Sequence, residues 1–163
     1  MKSIAYRSRA LGFAAALVAA LAVAGCASKP ADDSLASANP AAPGSPGEFA
    51  SVVGDRVFFE SDSSELTAQS RATLDKQAQW LQQYRSYAFT VEGHADERGT
   101  REYNIALGAR RAQAVLDYLI ARGVEAGRMG TRSFGKERPV AVCNDISCWS
   151  QNRRAATVLG ATS

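Results

Sequence analysis

The spacing of apolar and polar positions between residues 51 and 160 predicts a domain in which strands and helices alternate. In chain order, the pattern predicts a strand over 56–59, a helix over 67–84, a strand over 88–92, a helix over 100–122, a strand over 130–134, a short helical turn over 149–154 and a final strand over 155–159. The predicted strands are short segments rich in residues that favour β-strands, whereas the predicted helices repeat apolar residues every three or four positions. We therefore expect an α+β fold, a two-layer sandwich in which a mixed sheet packs on two long helices. Its βαβαβ core is followed by a short extra helix and a final strand.

The second long helix has the clearest start and stop signals. Thr100 can act as its N-cap, and Gly123 can provide a left-handed C-cap. Glu102 lies in the first turn, near the positive end of the helix dipole. We expect one face of this helix to be buried. The apolar stripe on that face comprises Ile105, Ala112, Val115, Leu116 and Leu119.

The first 25 residues have the composition of a secretory signal. They contain three basic residues, no acidic residue and an apolar run over 10–24, which is short for a membrane-spanning helix. Without these three bases, the 19 Lys and Arg of the whole chain fall to 16, equal to the 16 Asp and Glu. The mature chain is therefore formally neutral, which argues against nucleic acid as a partner, because binding to phosphates needs a basic surface.

Val23-Ala24-Gly25-Cys26 resembles a bacterial lipobox. The resemblance implies that Cys26 becomes the first mature residue and carries acyl chains, and two or more such chains give stable membrane attachment. Ala27 and Ser28 follow, with no Asp next to the cysteine, which by resemblance to the lipoproteins of diderm bacteria favours the outer membrane. The folded domain would then face the periplasm.

Residues 27–50 contain four of the five prolines together with Ser, Ala and Gly, and they show no apolar periodicity. Such a segment cannot offset the entropy of ordering, so we expect a disordered tether. A flexible coil of this length spans roughly 25–30 Å. The chain is thus expected to divide into a lipoprotein signal peptide over 1–25, a lipidated tether over 26–50 and a folded domain over 51–163.

A longer segment resembles a known protein family. Residues 91–115 read VEGHADERGTREYNIALGARRAQAV, and further matches lie at 57–62, 133–139 and 151–155. Together these segments resemble the OmpA-like C-terminal domain family. Within it, the motifs EGH and DERGT are similar to those of the peptidoglycan-associated lipoprotein branch. The sequence departs from the family pattern at Ala95, where a Thr is usual, and at Arg101, where Pro is common.

The resemblance implies a set of binding residues. Members of the family hold the diaminopimelate side chain of the peptidoglycan stem peptide, whose free end carries an ammonium and a carboxylate. By resemblance, Asp96 takes the ammonium and Arg111 forks onto the carboxylate, as a planar guanidinium can. Helical periodicity alone does not choose between Arg110 and Arg111, which point about 100° apart; the Arg-Arg-Ala motif of the family selects Arg111. The remaining equivalents of the family's site are Asp62, Asn104 and Leu107.

The same resemblance implies an outer-membrane lipoprotein that links the outer membrane to the cell wall without a covalent bond. It would belong to the Tol–Pal envelope system, which acts in envelope integrity and in outer-membrane constriction during division. Its partners would be peptidoglycan and the periplasmic Tol proteins, which compete for one surface. The alternative is an envelope interaction protein whose main partner is another periplasmic protein rather than the wall.

The sequence predicts a binding module rather than an enzyme. A wall hydrolase would need a nucleophile or paired carboxylates oriented by a base, and His94 has no Ser or Cys beside it. His94 and Asp96 form a His-x-Asp pair, but without a second His or a nearby Cys they are a poor set of zinc ligands. We therefore expect a structural His94, with no metal and no cofactor.

The other two cysteines, Cys143 and Cys148, are predicted to form a disulfide. They remain once Cys26 is assigned to lipidation, and a secreted protein folds in an oxidising compartment. The bridge would staple the loop that precedes the last helix and strand.

Overall fold

The computed structural model describes residues 42–162, without the side chains of residues 161 and 162. The predicted signal peptide, Cys26 and the first part of the predicted tether lie outside the described residues. In chain order the elements are α1 (Pro46–Glu48, continuing as π-helix over Phe49–Gly54), β1 (Arg56–Phe58), α2 (Ala68–Gln83), β2 (Tyr87–His94), α3 (Arg101–Ala121), a 3-10 turn (Ala126–Arg128), β3 (Met129–Gly135), α4 (Ile146–Asn152) and β4 (Arg154–Thr162).

The four strands form one mixed sheet in the order β1-β4-β2-β3. The strands β2 and β3 run parallel, whereas β4 is antiparallel to both β1 and β2. In this register Val91, at the middle of β2, lies between Thr131 of β3 and Thr157 of β4. The predicted α+β fold, with a mixed sheet packed on two long helices, is confirmed.

The core lies between the sheet and the helices α2 and α3. Leu74, Leu81, Val91 and Leu119 are completely buried there. No helix within the described residues is both long enough and apolar enough to cross a membrane.

Three of the five residues predicted to form the buried stripe of α3 are buried, and two are not. Ala112, Val115 and Leu119 are buried, but Ile105 and Leu116 are only half-buried. The buried face is rotated toward Asn104, Leu107, Gly108 and Arg111, so part of the face that meets the sheet is small or polar.

Two glycines let α3 lie directly on β2. A Cβ added to Gly93 would come within 1.8 Å of the Gly108 carbonyl oxygen, so backbone meets backbone at this point. On the next strand, the Ser133 hydroxyl donates a hydrogen bond of 2.7 Å to the Ile105 carbonyl. These contacts fix the height of α3 above the end of β2.

The prediction of a disordered tether up to residue 50 is wrong for its last part. Ser45 caps α1 by accepting from the Glu48 backbone N–H, and Phe49 is buried against the Trp80 ring, with ring centroids 4.9 Å apart. The Glu48 carboxylate accepts from the indole N–H of Trp80 and from the backbone N–H of Gly44, both at 2.7 Å. These contacts order the chain before residue 51, so the folded part begins earlier than expected.

The end of the chain also differs in detail from the prediction. The helix α4 spans Ile146–Asn152 and begins there because the Asp145 carboxylate caps it, accepting from the backbone N–H of Ser147. The short helical turn was expected at 149–154. The predicted Cys143–Cys148 disulfide is present and brackets the start of α4.

Candidate functional site

A cavity of about 260 Å³ opens where β2 ends and α3 begins. Four of the five predicted binding residues line it, namely Asp62, Asp96, Asn104 and Leu107. Asp96 follows the end of β2, whereas Asn104 and Leu107 lie on the first turns of α3. Asp62 reaches the same cavity from the loop between β1 and α2. The fold therefore brings together residues from three separate segments.

Asp96 lies at the wall of this cavity and is 6% exposed. Its carboxylate accepts from the Arg98 side chain through both oxygens, with Nε at 3.1 Å and Nη2 at 2.7 Å. It also accepts from the backbone N–H of Arg98 at 3.2 Å and from Nη1 of Arg153 at 3.4 Å. Burial acts to raise the pKa of Asp96, but the hydrogen bonds and charge of Arg98, together with the hydrogen bond from Arg153, outweigh it and lower the pKa. The group is a carboxylate at neutral pH.

Arg111 is completely buried and is not among the residues that line the cavity. Its guanidinium donates to three backbone carbonyls: those of Ser63 at 2.8 Å, His94 at 2.8 Å and Glu60 at 3.1 Å. Burial lowers the pKa of Arg111 to about 10, although the nearby charge of Asp96 acts against this, so the group stays cationic. Arg111 thus ties the loop after β1 to the end of β2.

Three further side chains shape the cavity. Asp62 adopts a left-handed backbone conformation, with φ 57°, and its carboxylate accepts from the Tyr103 hydroxyl. The Asn104 side chain is buried and donates to the Arg98 carbonyl at 2.7 Å, which holds the loop that carries Asp96. Leu107 contributes the apolar part of the wall.

Arg98 and Tyr103 line the cavity and were not predicted from the sequence, nor was Trp149, which lies against Arg98. The Arg98 guanidinium lies over the Trp149 ring, 4.4 Å from its centre, and its Nη2 donates to the Ser61 hydroxyl at 2.8 Å. The Trp149 indole N–H in turn donates to the Glu97 carboxylate. The DERGT motif contains Arg98, but its pairing with Trp149 depends on how a residue some 50 positions later in the chain is placed.

His94 has a structural environment, as expected. It is buried and stacks on Phe134, with ring centroids 5.6 Å apart, while its backbone carbonyl accepts from Arg111. Burial, and then the charges of Arg154 and Arg138, lower the pKa of His94 to about 4, so the ring is neutral near pH 7. Among residues 42–162 no group of three or more His, Cys, Asp or Glu is arranged to hold a metal ion.

A larger cavity, of about 460 Å³, lies between β1, the start of α2 and α4. None of the five predicted binding residues lines it. We take the smaller cavity as the candidate site, because its wall carries two carboxylates beside an exposed guanidinium. Such a wall can hold a small ligand that bears both an ammonium and a carboxylate.

Comparison with known proteins assigns the family. The OmpA family matches residues 58–154, which include both long helices, the strands β2 and β3 and the whole candidate site. The chain belongs to the OmpA family.

Individual relatives place it among the peptidoglycan-associated lipoproteins of that family. The chain is 62% identical over 149 residues to the peptidoglycan-associated lipoprotein of Mesorhizobium japonicum, covering 88% of this chain and 89% of that protein. The crystal structure of the peptidoglycan-associated lipoprotein from Burkholderia pseudomallei is 40% identical with a TM-score of 0.66, covering 74% of this chain and 99% of that one. The C-terminal domain of Helicobacter pylori MotB is 22% identical with a TM-score of 0.62, covering 67% of this chain and 86% of that one, and shares the fold alone.

Proposed function

We propose that this protein is an outer-membrane lipoprotein that binds peptidoglycan non-covalently through the diaminopimelate of the stem peptide. The observation that carries the proposal is the position of Asp96, a carboxylate in the wall of a small cavity beside arginine side chains. The names of the relatives support peptidoglycan as the target. The protein would bind peptidoglycan without changing it chemically.

In this proposal Asp96 receives the ammonium of the ligand and Arg111 attracts its carboxylate. Arg111 is completely buried and donates to three backbone carbonyls, so its positive charge would act on the ligand from behind the wall of the cavity. Asp62 adds a second negative charge on the ammonium side. Asn104 and Leu107 complete the wall, one through a hydrogen bond that orders the loop and the other through apolar contact.

Calorimetric titration with a diaminopimelate-containing muropeptide tests this function on the purified, detergent-solubilised protein. A charged hydrogen bond contributes roughly 1.5–3 kcal/mol, so Asp96→Asn should weaken binding by about 10- to 150-fold. Asp117→Asn is the matched control, because Asp117 is exposed on α3 and bonds only to the Gln113 amide among the described hydrogen bonds. Unchanged affinity of a folded Asp96→Asn protein would exclude the proposed site.

The lipid anchor forms a separate part of the proposal. Cys26 follows a lipobox-like sequence, and the relatives are named lipoproteins. Cys26→Ser should leave an unprocessed precursor that no longer fractionates with the outer membrane. A Ser variant that is still cleaved, acylated and found in the outer membrane would contradict this assignment.

We also propose the periplasmic Tol proteins as partners, within the Tol–Pal system of envelope integrity and division. The supporting feature is a loop beside the disulfide with exposed apolar side chains, Val140, Val142 and Ile146, which is typical of a protein contact surface. Pull-down with purified Tol proteins, compared with co-sedimentation on cell-wall sacculi, tests which partner dominates. Capture by Tol proteins without sedimentation would favour the alternative of a purely protein-binding module.

A further inference from the structure

The carboxylate that the proposed function assigns to the ligand's ammonium is already paired within the chain. Both oxygens of Asp96 accept from Arg98, at 3.1 and 2.7 Å. A forked contact between a guanidinium and a carboxylate uses the same oxygens that an ammonium would need. A ligand that binds Asp96 must therefore take at least one of these oxygens from Arg98.

Arg98 is also more exposed than the other two arginines near Asp96, which are Arg111 and Arg153. Its side chain is 45% exposed, against 9% for Asp96 and 6% for Arg153. Arg111 is completely buried, and its described hydrogen bonds all go to backbone carbonyls. Of these three arginines, only Arg98 lines the cavity.

Arg98 has contacts that do not depend on Asp96. Its guanidinium lies 4.4 Å from the centre of the Trp149 ring and donates to the Ser61 hydroxyl at 2.8 Å. Trp149 is held by its hydrogen bond to Glu97 and lies next to Cys148 in α4, which the disulfide staples. The guanidinium can therefore leave Asp96 and still be kept at the mouth of the cavity by Trp149.

We propose that Arg98 is an exchangeable counter-ion: the ammonium of the ligand replaces it at Asp96, and the released guanidinium binds the carboxylate of the ligand. This inference rests on the proposed function and concerns the specificity of the same site. One internal ion pair is exchanged for two pairs with the ligand, so no charge is left without a partner. A ligand with an ammonium but no carboxylate would displace Arg98 without offering it a new partner. The site would thus select a zwitterion.

The test compares two muropeptides, one with a free diaminopimelate carboxylate and one in which that carboxylate is amidated. Each is titrated calorimetrically into the detergent-solubilised parent, Arg98→Gln and Arg101→Gln. Arg101 is a matched control, because it is an exposed arginine on the same segment whose ion pair is with Glu137 outside the cavity. Loss of a charged hydrogen bond predicts that the parent prefers the free ligand by about 10-fold or more. In Arg98→Gln, the ratio of the affinities for the free and the amidated ligand should fall to a third of the parent's ratio or less. In Arg101→Gln, this ratio should equal the parent's.

The outcomes separate this inference from the proposed function. A parent that binds neither muropeptide refutes the proposed function itself. A parent that binds both equally, or an Arg98→Gln protein that keeps more than a third of the preference, shows that Arg98 does not bind the carboxylate. An Arg98→Gln protein that binds the free ligand more tightly than the parent would show that Arg98 only competes for Asp96. Either result overturns the exchange, and circular dichroism verifies that each variant is folded.

Discussion

The contact between Gly93 and Gly108 predicts that a single methyl group at residue 93 will separate α3 from the sheet. A Cβ at Gly93 would lie 1.8 Å from the carbonyl oxygen and 2.6 Å from the carbonyl carbon of Gly108. Both atoms belong to the helix backbone, so no side chain can rotate away. Gly93→Ala can be accommodated only if α3 and β2 move apart.

The size of this movement gives the cost. Ordinary carbon contacts lie at about 3.5–4.0 Å, so the helix would have to move by roughly 1.5 Å or more. Inserting a methyl into a packed core costs about 1–3 kcal/mol, and backbone against backbone lies at the upper end of that range. The loss of unfolded-state entropy on Gly→Ala replacement returns only about 0.4–1 kcal/mol. We expect Gly93→Ala to lower the free energy of unfolding by about 2–3 kcal/mol.

Urea unfolding followed by circular dichroism measures this change. Gly127→Ala is the control, because a Cβ there meets nothing within 4 Å, and its stability should stay within about 1 kcal/mol of the parent. Since α3 carries Asn104, Leu107 and Arg111, muropeptide binding by Gly93→Ala should fall as well. A Gly93→Ala protein as stable as the Gly127→Ala control would refute the close approach of α3 and β2.

Three further predictions concern stability. The unfolded imidazole takes up a proton near pH 6.5, whereas the pKa of folded His94 is about 4, so stability should fall by up to about 3 kcal/mol as the pH drops from 6.5 to 4. His94→Gln should flatten this part of the pH profile from urea titrations, and an unchanged profile would contradict the assignment. Intact-mass analysis after alkylation without reductant should find no adduct on Cys143 or Cys148, and two adducts would exclude the bridge. Cys148→Ser should lower the free energy of unfolding by about 2 kcal/mol, because the cross-link no longer restricts the unfolded chain. Glu48→Gln should lower the urea midpoint of unfolding. The reason is that the hydrogen bonds from Trp80 and Gly44 stabilise the charged form of Glu48 and lower its pKa. A midpoint equal to the parent's would contradict this.

Local sequence signals predicted the long helices well, because their caps and apolar repeats are encoded within a few residues. Thr100 caps α3 as expected, by accepting from the Tyr103 backbone N–H, and Gly123 has the positive φ of a left-handed cap. The short helices were harder to predict. The Ser45-Pro46-Gly47-Glu48 sequence has the Ser-x-x-Glu pattern of a helix start, but it lies in a Pro-rich context that favoured disorder.

Long-range pairing could not be predicted from local patterns. The position of β4 between β1 and β2 depends on contacts between strands far apart in the chain, for example Val57 with Ala155. The environment of Arg111 shows the same limit at the site. The family resemblance singled out this residue, but its three carbonyl partners come from the loop after β1 and the end of β2, and only the folded chain reveals them.

The two ends of β2 lie beside different parts of the domain. The strand begins at Tyr87, whose hydroxyl donates to the Gly44 carbonyl at 2.9 Å, and it ends at His94, beside the loop that carries Asp96. A strand of 8 residues spans about 23 Å from first to last residue. The chain therefore enters the folded domain at one end of β2, and the candidate cavity opens at the other. In the proposed function, the part of the domain that holds the stem peptide is therefore about one strand length away from the first described residues.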